Sequence, residues 1–374
     1  MTVIPKKTVG FIVNPIAGMG GAVGLKGTDG ASILQMAIKL GAKPIASKRA
    51  ETFLSELSPF KEYLKLVVGS GDMGEVEAKK QNYRIKVIGE AKNETSSCDT
   101  ETVSEGIVKT GVDLLIYCGG DGTTRDIQKV IDFKVPVLGV PTGVKMHSAS
   151  FAISPKAAAR VAAQFLWGGL PLKEAEVMDI DECAFREGHL SAELHGYVLT
   201  PFEPHLIQGN KMESSNTEDE VENQAAIALY LIKGMKSDVY YIVGPGTTTR
   251  TIADLLDQKK TLLGVDVFLD KKIVKKDVNA TQIMELIADK PAHIIVTPIG
   301  GQGFIFGRGN QQISSEVIRK VGLSNITVIA TKSKIDRLNC LRVDTGDSEI
   351  DNLLRDNGIR VITDYKTMQK MIIE

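Results

Sequence analysis

Cysteine is scarce and scattered. The chain has 374 residues and four cysteines, Cys98, Cys118, Cys183 and Cys340, with no C-x-x-C pair. That spacing argues against a disulfide framework or a zinc ribbon and fits reduced thiols in a cytosolic protein. An excess of one charge is also missing: 45 basic residues meet 46 acidic ones, a formal net charge of −1. Overall charge therefore gives no reason to expect bulk nucleic-acid or acidic-membrane binding. No apolar run approaches the roughly 18 residues that span a bilayer, and no basic amphipathic helix suggests docking on a membrane. The N-terminal stretch MTVIPKKTVGFIVNP has no signal-peptide core and no small-residue cleavage site. It reads as a first strand, and the expected location is the cytoplasm. His189, His195, His205 and His293 lack metal spacing such as H-x-x-x-H and read as structural. A Walker A sequence is missing too, because Gly24-Leu25-Lys26 lacks the Gly-Lys-Ser/Thr order. Any nucleoside triphosphate would have to bind without a P-loop.

Glycine, in contrast, is plentiful: 36 residues against 13 prolines, with no repeat period. Such a chain makes many tight turns of the kind that surround phosphates. At roughly 150 residues per domain, its length suggests two domains or one with a large elaboration. Short β-branched runs alternate with helical patterns, which is the signature of an α/β fold. Strands are expected over 8–13, 64–68, 85–89, 114–118, 135–140, 239–243, 294–298 and 326–330, most of them nearly all apolar, as parallel strands covered on both faces are. Helices are expected over 32–40, 123–131, 155–167, 249–258, 280–288 and 315–321. Two polar stretches, 91–104 and 209–223, read as exposed loops or helix entries. Residues 175–204 read as strand, turn, strand. That change places a domain boundary near Gly168-Gly169, giving lobes of 1–168 and 169–374, with the C-terminal strands returning to the first lobe as an open option.

A weak internal repeat aligns DLLIYCGGDGTTRDIQKVI, from Asp113, with DVYYIVGPGTTTRTIADLL, from Asp238. Each copy has a strand, a Gly/Thr-rich turn, an arginine (Arg125 or Arg250) and a helix. Either turn can present backbone N–H groups and hydroxyls to an anion at a helix N-terminus. Only the first carries a carboxylate, Asp121, where the second has Gly246. In that first turn Gly119, Gly120 and Gly122 let the backbone approach phosphate oxygens, while Thr123 and Thr124 can cap the helix and donate to phosphate. Asp121 suits taking a hydroxyl proton or holding Mg²⁺ against the phosphates. The plainer reading is an ordinary strand-to-helix turn with Asp as a local cap.

A strand ending in Asn14-Pro15, followed much later by GGDGTT, resembles the ATP-NAD kinase family, part of a kinase superfamily that also includes lipid kinases. NPIAGMGGAVGLKGTDG, VLGVPTGVKMHSASFA, EVMDIDE, GPGTTTRTIADLL, TLLGVDVF and VTPIGGQGFIFGRGNQQIS extend the resemblance to its longer prokaryotic branch. The resemblance implies a two-lobed, NAD-kinase-like α/β fold: an N-terminal parallel-sheet lobe and a mixed α/β second lobe with a β-rich element, the active site lying between them. It implies transfer of a phosphoryl group from ATP, or from polyphosphate, to the 2′-hydroxyl of NAD, with Mg²⁺ carried by the phosphates. Asp121 would be the catalytic carboxylate. Asn14, Gly119, Gly120, Gly122, Thr123, Thr124 and Arg125 would serve the nucleotide and its phosphates. Gly246, Thr247 and Thr248 would lie near a nucleotide, with Arg250 a further phosphate partner. Two departures stand out. Asn93-Glu94 lies upstream of GGDGT, whereas the shorter members carry such a pair downstream, and Ala22 occupies a loop position where a basic residue is expected. Partners would be small molecules, with neither nucleic acid nor membrane, and a homo-oligomer is compatible with the family.

Other residues carry two readings each. Lys145 and His147, in TGVKMH, follow a strand and suit a transferring phosphoryl group and a ribose, or are structural. Asp266, in LGVDV, is a substrate residue or a turn acid. Arg125 and Arg250 pair with phosphate or sit on exposed first helical turns. The loop from Gly300 to Gly309 packs a ligand ring or is a bulged hairpin. Gly69-Ser-Gly71-Asp-Met-Gly74 is a literal G-x-G-x-x-G with Glu90 about 20 residues on, the pattern of a dinucleotide-dependent oxidoreductase. Its Asp72 is a substrate contact or a surface residue. Replacing Asp121 by Asn is expected to cost orders of magnitude in rate and leave folding nearly intact. The alternatives to an NAD kinase are a related kinase of a sugar, polyol or lipid hydroxyl, and a non-catalytic regulator that senses NAD or NADP.

Overall fold

Aliphatic and β-branched runs bury themselves between helices in two separate sheets. The structure, a computed structural model, describes residues 5–21, 23–25, 31–92, 94–142, 146–180, 192–204, 206–207, 218–261 and 263–374. It divides into two compact units, Met1–Met19 with Gly27–Asn210 and Gly20–Lys26 with Lys211–Glu374.

In the first unit β1 (Lys7–Val13), β2 (Leu64–Gly69), β3 (Ile85–Ile88), β4 (Leu114–Gly119) and β5 (Val137–Pro141) form a wholly parallel sheet, ordered β3-β2-β1-β4-β5. Its helices are α1 (Ala31–Lys39), α2 (Ala46–Leu57), α3 (Glu75–Lys80), α4 (Ser97–Lys109), α5 (Asp121–Ile131) and α6 (Pro155–Gly168). Side chains alternate across β1. Val9, Phe11 and Val13 join residues of α2 and α6 in one buried layer, while Ile12 joins α4 and α5 in the other. Both faces are dry, so these strands are apolar along their whole length.

An antiparallel hairpin follows, β6 (Leu172–Ile180) and β7 (Ala192–Pro201). Ala175, Val177 and Val198 complete the layer that holds α4 and α5, and the Ala149 N–H donates to the Glu176 carbonyl at 2.9 Å. The β-rich element is therefore part of the first unit, not the start of the second, and the units divide near residue 210 rather than at Gly168-Gly169. Gly169, at φ +73°, is the left-handed cap that ends α6. The glycine pair marks a helix stop, not a boundary between domains.

The second unit runs α7 (Glu218–Gly234), β8 (Tyr240–Val243), α8 (Thr247–Asp254), β9 (Asp266–Leu269), β10 (Lys272–Lys275), α9 (Ala280–Leu286), β11 (Ala292–Val296), β12 (Phe304–Phe306), α10 (Ser315–Val321), β13 (Ile326–Ile329), α11 (Lys332–Asp336), β14 (Arg342–Val343), α12 (Ser348–Asn357), β15 (Ile359–Asp364) and β16 (Thr367–Met371). Seven of these strands make a mixed sheet, ordered β10-β9-β8-β11-β13-β15-β16. Its centre, β8, β11, β13 and β15, is parallel, and its edges are antiparallel. Residues of α9, α10 and α12 cover one face and those of α7 and α8 the other. Because β15 and β16 complete this sheet, the C-terminal strands do not return to the first one.

Candidate functional site

In the first sheet the strand order reverses between β1 and β4, which are neighbours whose chains lead away to opposite sides. Such a switch point leaves a crevice beyond the carboxyl ends of the two strands. Asn14 follows β1 and the GGDGTT turn follows β4, so the sheet brings these distant segments together. The Asn14 side chain donates from Nδ2 to Thr123 Oγ1 at 2.9 Å, and its backbone N–H bonds the Cys118 carbonyl at 2.9 Å. Gly119 has no room for a side chain: a Cβ there would lie 2.5 Å from both Cβ and Oγ1 of Thr123.

Asp121 is the first residue of α5 and is buried. Its carboxylate is held from above by backbone amides, Oδ2 accepting from His147 N–H at 2.7 Å and Oδ1 from Ser148 N–H at 2.9 Å. Ser148 is itself pinned to β6, its Oγ donating to the Met178 carbonyl at 3.0 Å and accepting from the Met178 N–H at 3.1 Å. The carboxylate is thus a fixed group. One lone pair on each oxygen serves one of these amides.

Thr124 does not share this outlook. Its hydroxyl bonds Tyr117 Oη at 2.7 Å and the Gly120 carbonyl at 3.1 Å, while Tyr117 Oη also bonds Ser150 Oγ at 2.8 Å. The residue is buried and ties α5 to the sheet. Arg125 is partly exposed, its Nε 3.6 Å from Asp126 Oδ1. Burial pushes the Asp126 carboxyl above its ordinary range, against the pull of Arg125 and Lys129. His147 is brought to Asp121 by its backbone, with its ring buried. Thr142, after β5, has a buried hydroxyl with no hydrogen-bond partner among the described residues. Lys145, Ala22 and Asn93 lie outside the described residues.

The G-x-G-x-x-G segment follows β2, with β1 between it and the GGDGTT strand. A dinucleotide fingerprint belongs on the first strand, at the switch point, leading into a full crossover helix. Here the helix that follows, α3, has six residues. Asp72 is exposed on the intervening turn and Glu90 is exposed beyond β3. The oxidoreductase pattern is a local turn.

The second unit has a strand-order reversal of its own, between β8 and β11. Gly246, at φ +127°, sits where a Cβ would meet Thr297 Cγ2 at 2.7 Å, so the GPGTTTR turn packs directly on the residue after β11. Thr249 Oγ1 locks the turn by donating to the carbonyls of Gly244 at 2.8 Å and Gly246 at 2.9 Å. Thr248 is buried, whereas Thr247 and Arg250 are exposed, with Arg250 Nε 3.7 Å from Asp254. In the loop after β11 and β12, sequence reasoning missed a polar cluster. Thr297 Oγ1, Asn310 Oδ1 and Gln312 Oε1 are buried without hydrogen-bond partners among the described residues. Arg308 stacks 4.6 Å over the Phe304 ring and donates to Gln302 Oε1 at 3.1 Å. Buried acceptors left unmade are costly, and the only sequence signal for them was the glycine density around Gly300.

Asp266 resolves as the turn acid. It is fully buried, accepting from Thr261 N–H at 2.7 Å, Thr261 Oγ1 at 2.6 Å and Asp277 N–H at 2.8 Å. Beside it Lys260 is buried with its ammonium on the Thr261 and Gly264 carbonyls, and burial lowers that group to about 8. Among the described residues no three His, Cys, Asp or Glu side chains gather as a metal site.

Comparison with known proteins gives two family matches. The ATP-NAD kinase N-terminal domain matches residues 9–170 and the ATP-NAD kinase C-terminal domain matches residues 236–372. No curated protein matches the chain. Among solved structures, a putative UDP-N-acetylglucosamine 2-epimerase from Listeria monocytogenes is similar at a TM-score of 0.26 and 12% identity, over 98% of this chain and 81% of that one. A likeness that low carries no argument.

Proposed function

The chain belongs to the ATP-NAD kinase family, phosphotransferases acting on a hydroxyl group, and on that premise we propose that it phosphorylates the 2′-hydroxyl of NAD from ATP to give NADP. The observation that supports this reading is the clamped carboxylate of Asp121 at the switch point of a parallel sheet. Phosphoryl transfer needs little covalent chemistry from the protein and much positioning. Asp121 accepts the hydroxyl proton as the oxygen attacks in line. The amides opening α5 and the Thr123 hydroxyl hold phosphate oxygens, where the helix N-terminus favours negative charge. Asn14 sets the Thr123 hydroxyl by donating to it, so that its own hydrogen is free to face the phosphate. On the second unit, the turn that carries Gly246, Thr247 and Thr248 is a separate helix start suited to an anion. Mg²⁺ brought in with the nucleotide would supply charge neutralisation for the leaving group.

The test is a coupled assay with Mg²⁺, NAD and either ATP or polyphosphate, in which NADP is read by an NADP-specific dehydrogenase. NADP formed with ATP and lost in Asp121→Asn supports the assignment. NADP formed only with polyphosphate replaces the donor. Folded protein that binds nucleotide and makes no NADP with either donor removes NAD as the acceptor.

A further inference from the structure

The sheet of the second unit carries another concave site, at the opposite end of its strands from the GPGTTTR turn. A cavity of about 910 Å³ opens beside the first residues of β11 and the residues that lead into β8. Its size falls within the roughly 300–1,000 Å³ usual for small-molecule sites. Ile295 and Ile362 form an apolar floor, and rings of Tyr230, Tyr241, Tyr365 and His293 form the walls. Tyr230 and Tyr365 meet edge to face with centroids 5.7 Å apart.

The charged side chains that line this cavity are of one sign. Lys233, Lys236, Lys290, Lys320 and Lys366 line it, all of them exposed, and among the described residues no Asp or Glu does. The plain explanation for lysines at such a place is compensation of helix dipoles, since α7, α9 and α10 end at the rim. Each helix end contributes about half a negative charge, so three of them amount to about −1.5 and leave most of the five ammonium charges uncompensated. Nor do the lysines all point into water. Lys233 lies 5.1 Å over the Tyr365 ring and donates to its hydroxyl at 3.1 Å, and Lys366 lies 5.8 Å over the same ring. His293 feels the same field: burial and Lys236 both hold its imidazole below its ordinary pKa.

We propose that this cavity binds a nucleoside polyphosphate, its base against the tyrosine walls and its phosphates among the lysines. A ring-free polyanion would leave the aromatic walls without a role, and an uncharged aromatic compound would leave the lysines without one. The site uses none of the residues assigned to phosphoryl transfer, so it is a second locus at which a nucleotide can act on this protein.

Calorimetric titration of the full chain with ATP and Mg²⁺, without an acceptor, tests it. The paired substitution Lys290→Glu with Lys320→Glu reverses two exposed charges and should weaken one ATP-binding event tenfold or more, while circular dichroism stays unchanged. Lys236→Ser with Lys366→Ser serves as a second pair should the first not fold. The readout is the event lost, so it does not depend on whether ATP also binds at the GGDGTT turn. ATP stoichiometry and affinity unchanged in both pairs overturn the site. Sodium tripolyphosphate binding there as tightly as ATP overturns the nucleoside assignment, and weaker binding supports it.

Discussion

Replacing Asp121 by Asn separates what the carboxylate does for the fold from what it does for the reaction. In the native protein its two oxygens accept backbone N–H groups from His147 and Ser148, at 2.7 and 2.9 Å. Hydrogen bonds to a charged group contribute about 1.5–3 kcal/mol each. An asparagine keeps one carbonyl oxygen, so one bond survives at neutral strength, roughly 1 kcal/mol weaker. The other position becomes an NH₂ facing an N–H, and that bond is lost outright. The expected cost is about 2–4 kcal/mol, where the sequence alone suggests a nearly neutral change. For a unit of this size each kcal/mol shifts the thermal midpoint by about 2–4 °C, so a drop of roughly 5–15 °C is expected by circular dichroism. Assayed well below the lowered midpoint, the variant should also lose about 10²–10⁴ in turnover, the usual worth of a positioned base. A midpoint within about 1 °C of wild type would refute the clamp. Turnover within tenfold of wild type, in a folded variant, would remove Asp121 from the chemistry.

Three further outcomes follow from the same structure. Gly119→Ala drives a methyl to 2.5 Å from Thr123 and should destabilise by about 1–3 kcal/mol; Gly168→Ala, in the last turn of α6 with nothing within 4 Å, should stabilise by about 0.5–1 kcal/mol. Denaturant titration reads both, and shifts of the same sign would contradict the packing argument. Tyr117→Phe removes the hydroxyl that joins Thr124 to Ser150 and should cost about 1–3 kcal/mol in the same measurement; an unshifted midpoint would mean that the hydroxyl network is not holding α5 to the sheet. Burial lowers Lys260 from 10.5 to about 8, so between those pH values the native state sheds a proton that the unfolded chain keeps. Stability from this group is lost as pH falls through 8 and rises towards 10.5, by at most about 3 kcal/mol. The stability difference between wild type and Lys260→Met should therefore move in favour of wild type between pH 7 and pH 10, and a flat difference would refute the buried ammonium.

What could be read in the sequence followed from burial on two sides. Strands such as Leu114–Gly119 are apolar at every position because helices cover both faces. Helix α4 was hidden for the opposite reason. It buries only Thr100, Val103, Ser104 and Ile107, a helical stripe within an otherwise polar run that reads equally as a loop or a helix entry. Its start was marked by Ser96 and Asp99, whose carboxylate accepts the Ser96 N–H at 2.9 Å. The hairpin β6–β7 was legible as two strands, but its place was not, since membership of a sheet layer depends on contacts distant in sequence.

The candidate site divides in the same way, by whether a feature belongs to side chains or to the backbone. The GGDGTT string announces a tight turn and a carboxylate because glycine, threonine and aspartate each leave a chemical mark in the sequence. The groups that hold Asp121 are the amides of His147 and Ser148, and any residue but proline offers an amide there, so that clamp has no signature. The two threonines show a second limit. Successive residues on a helix point about 100° apart, so Thr123 and Thr124 cannot both face the turn. Which one turns inward was decided by Tyr117, on the strand beneath, whose hydroxyl gives Thr124 a buried partner, and by Asn14, which gives Thr123 one at the crevice. Both deciding residues lie on the strand segments that carry the turn, Tyr117 within β4 and Asn14 just past β1. The pairing of those strands, more than the motif itself, selects which hydroxyl is available to a phosphate.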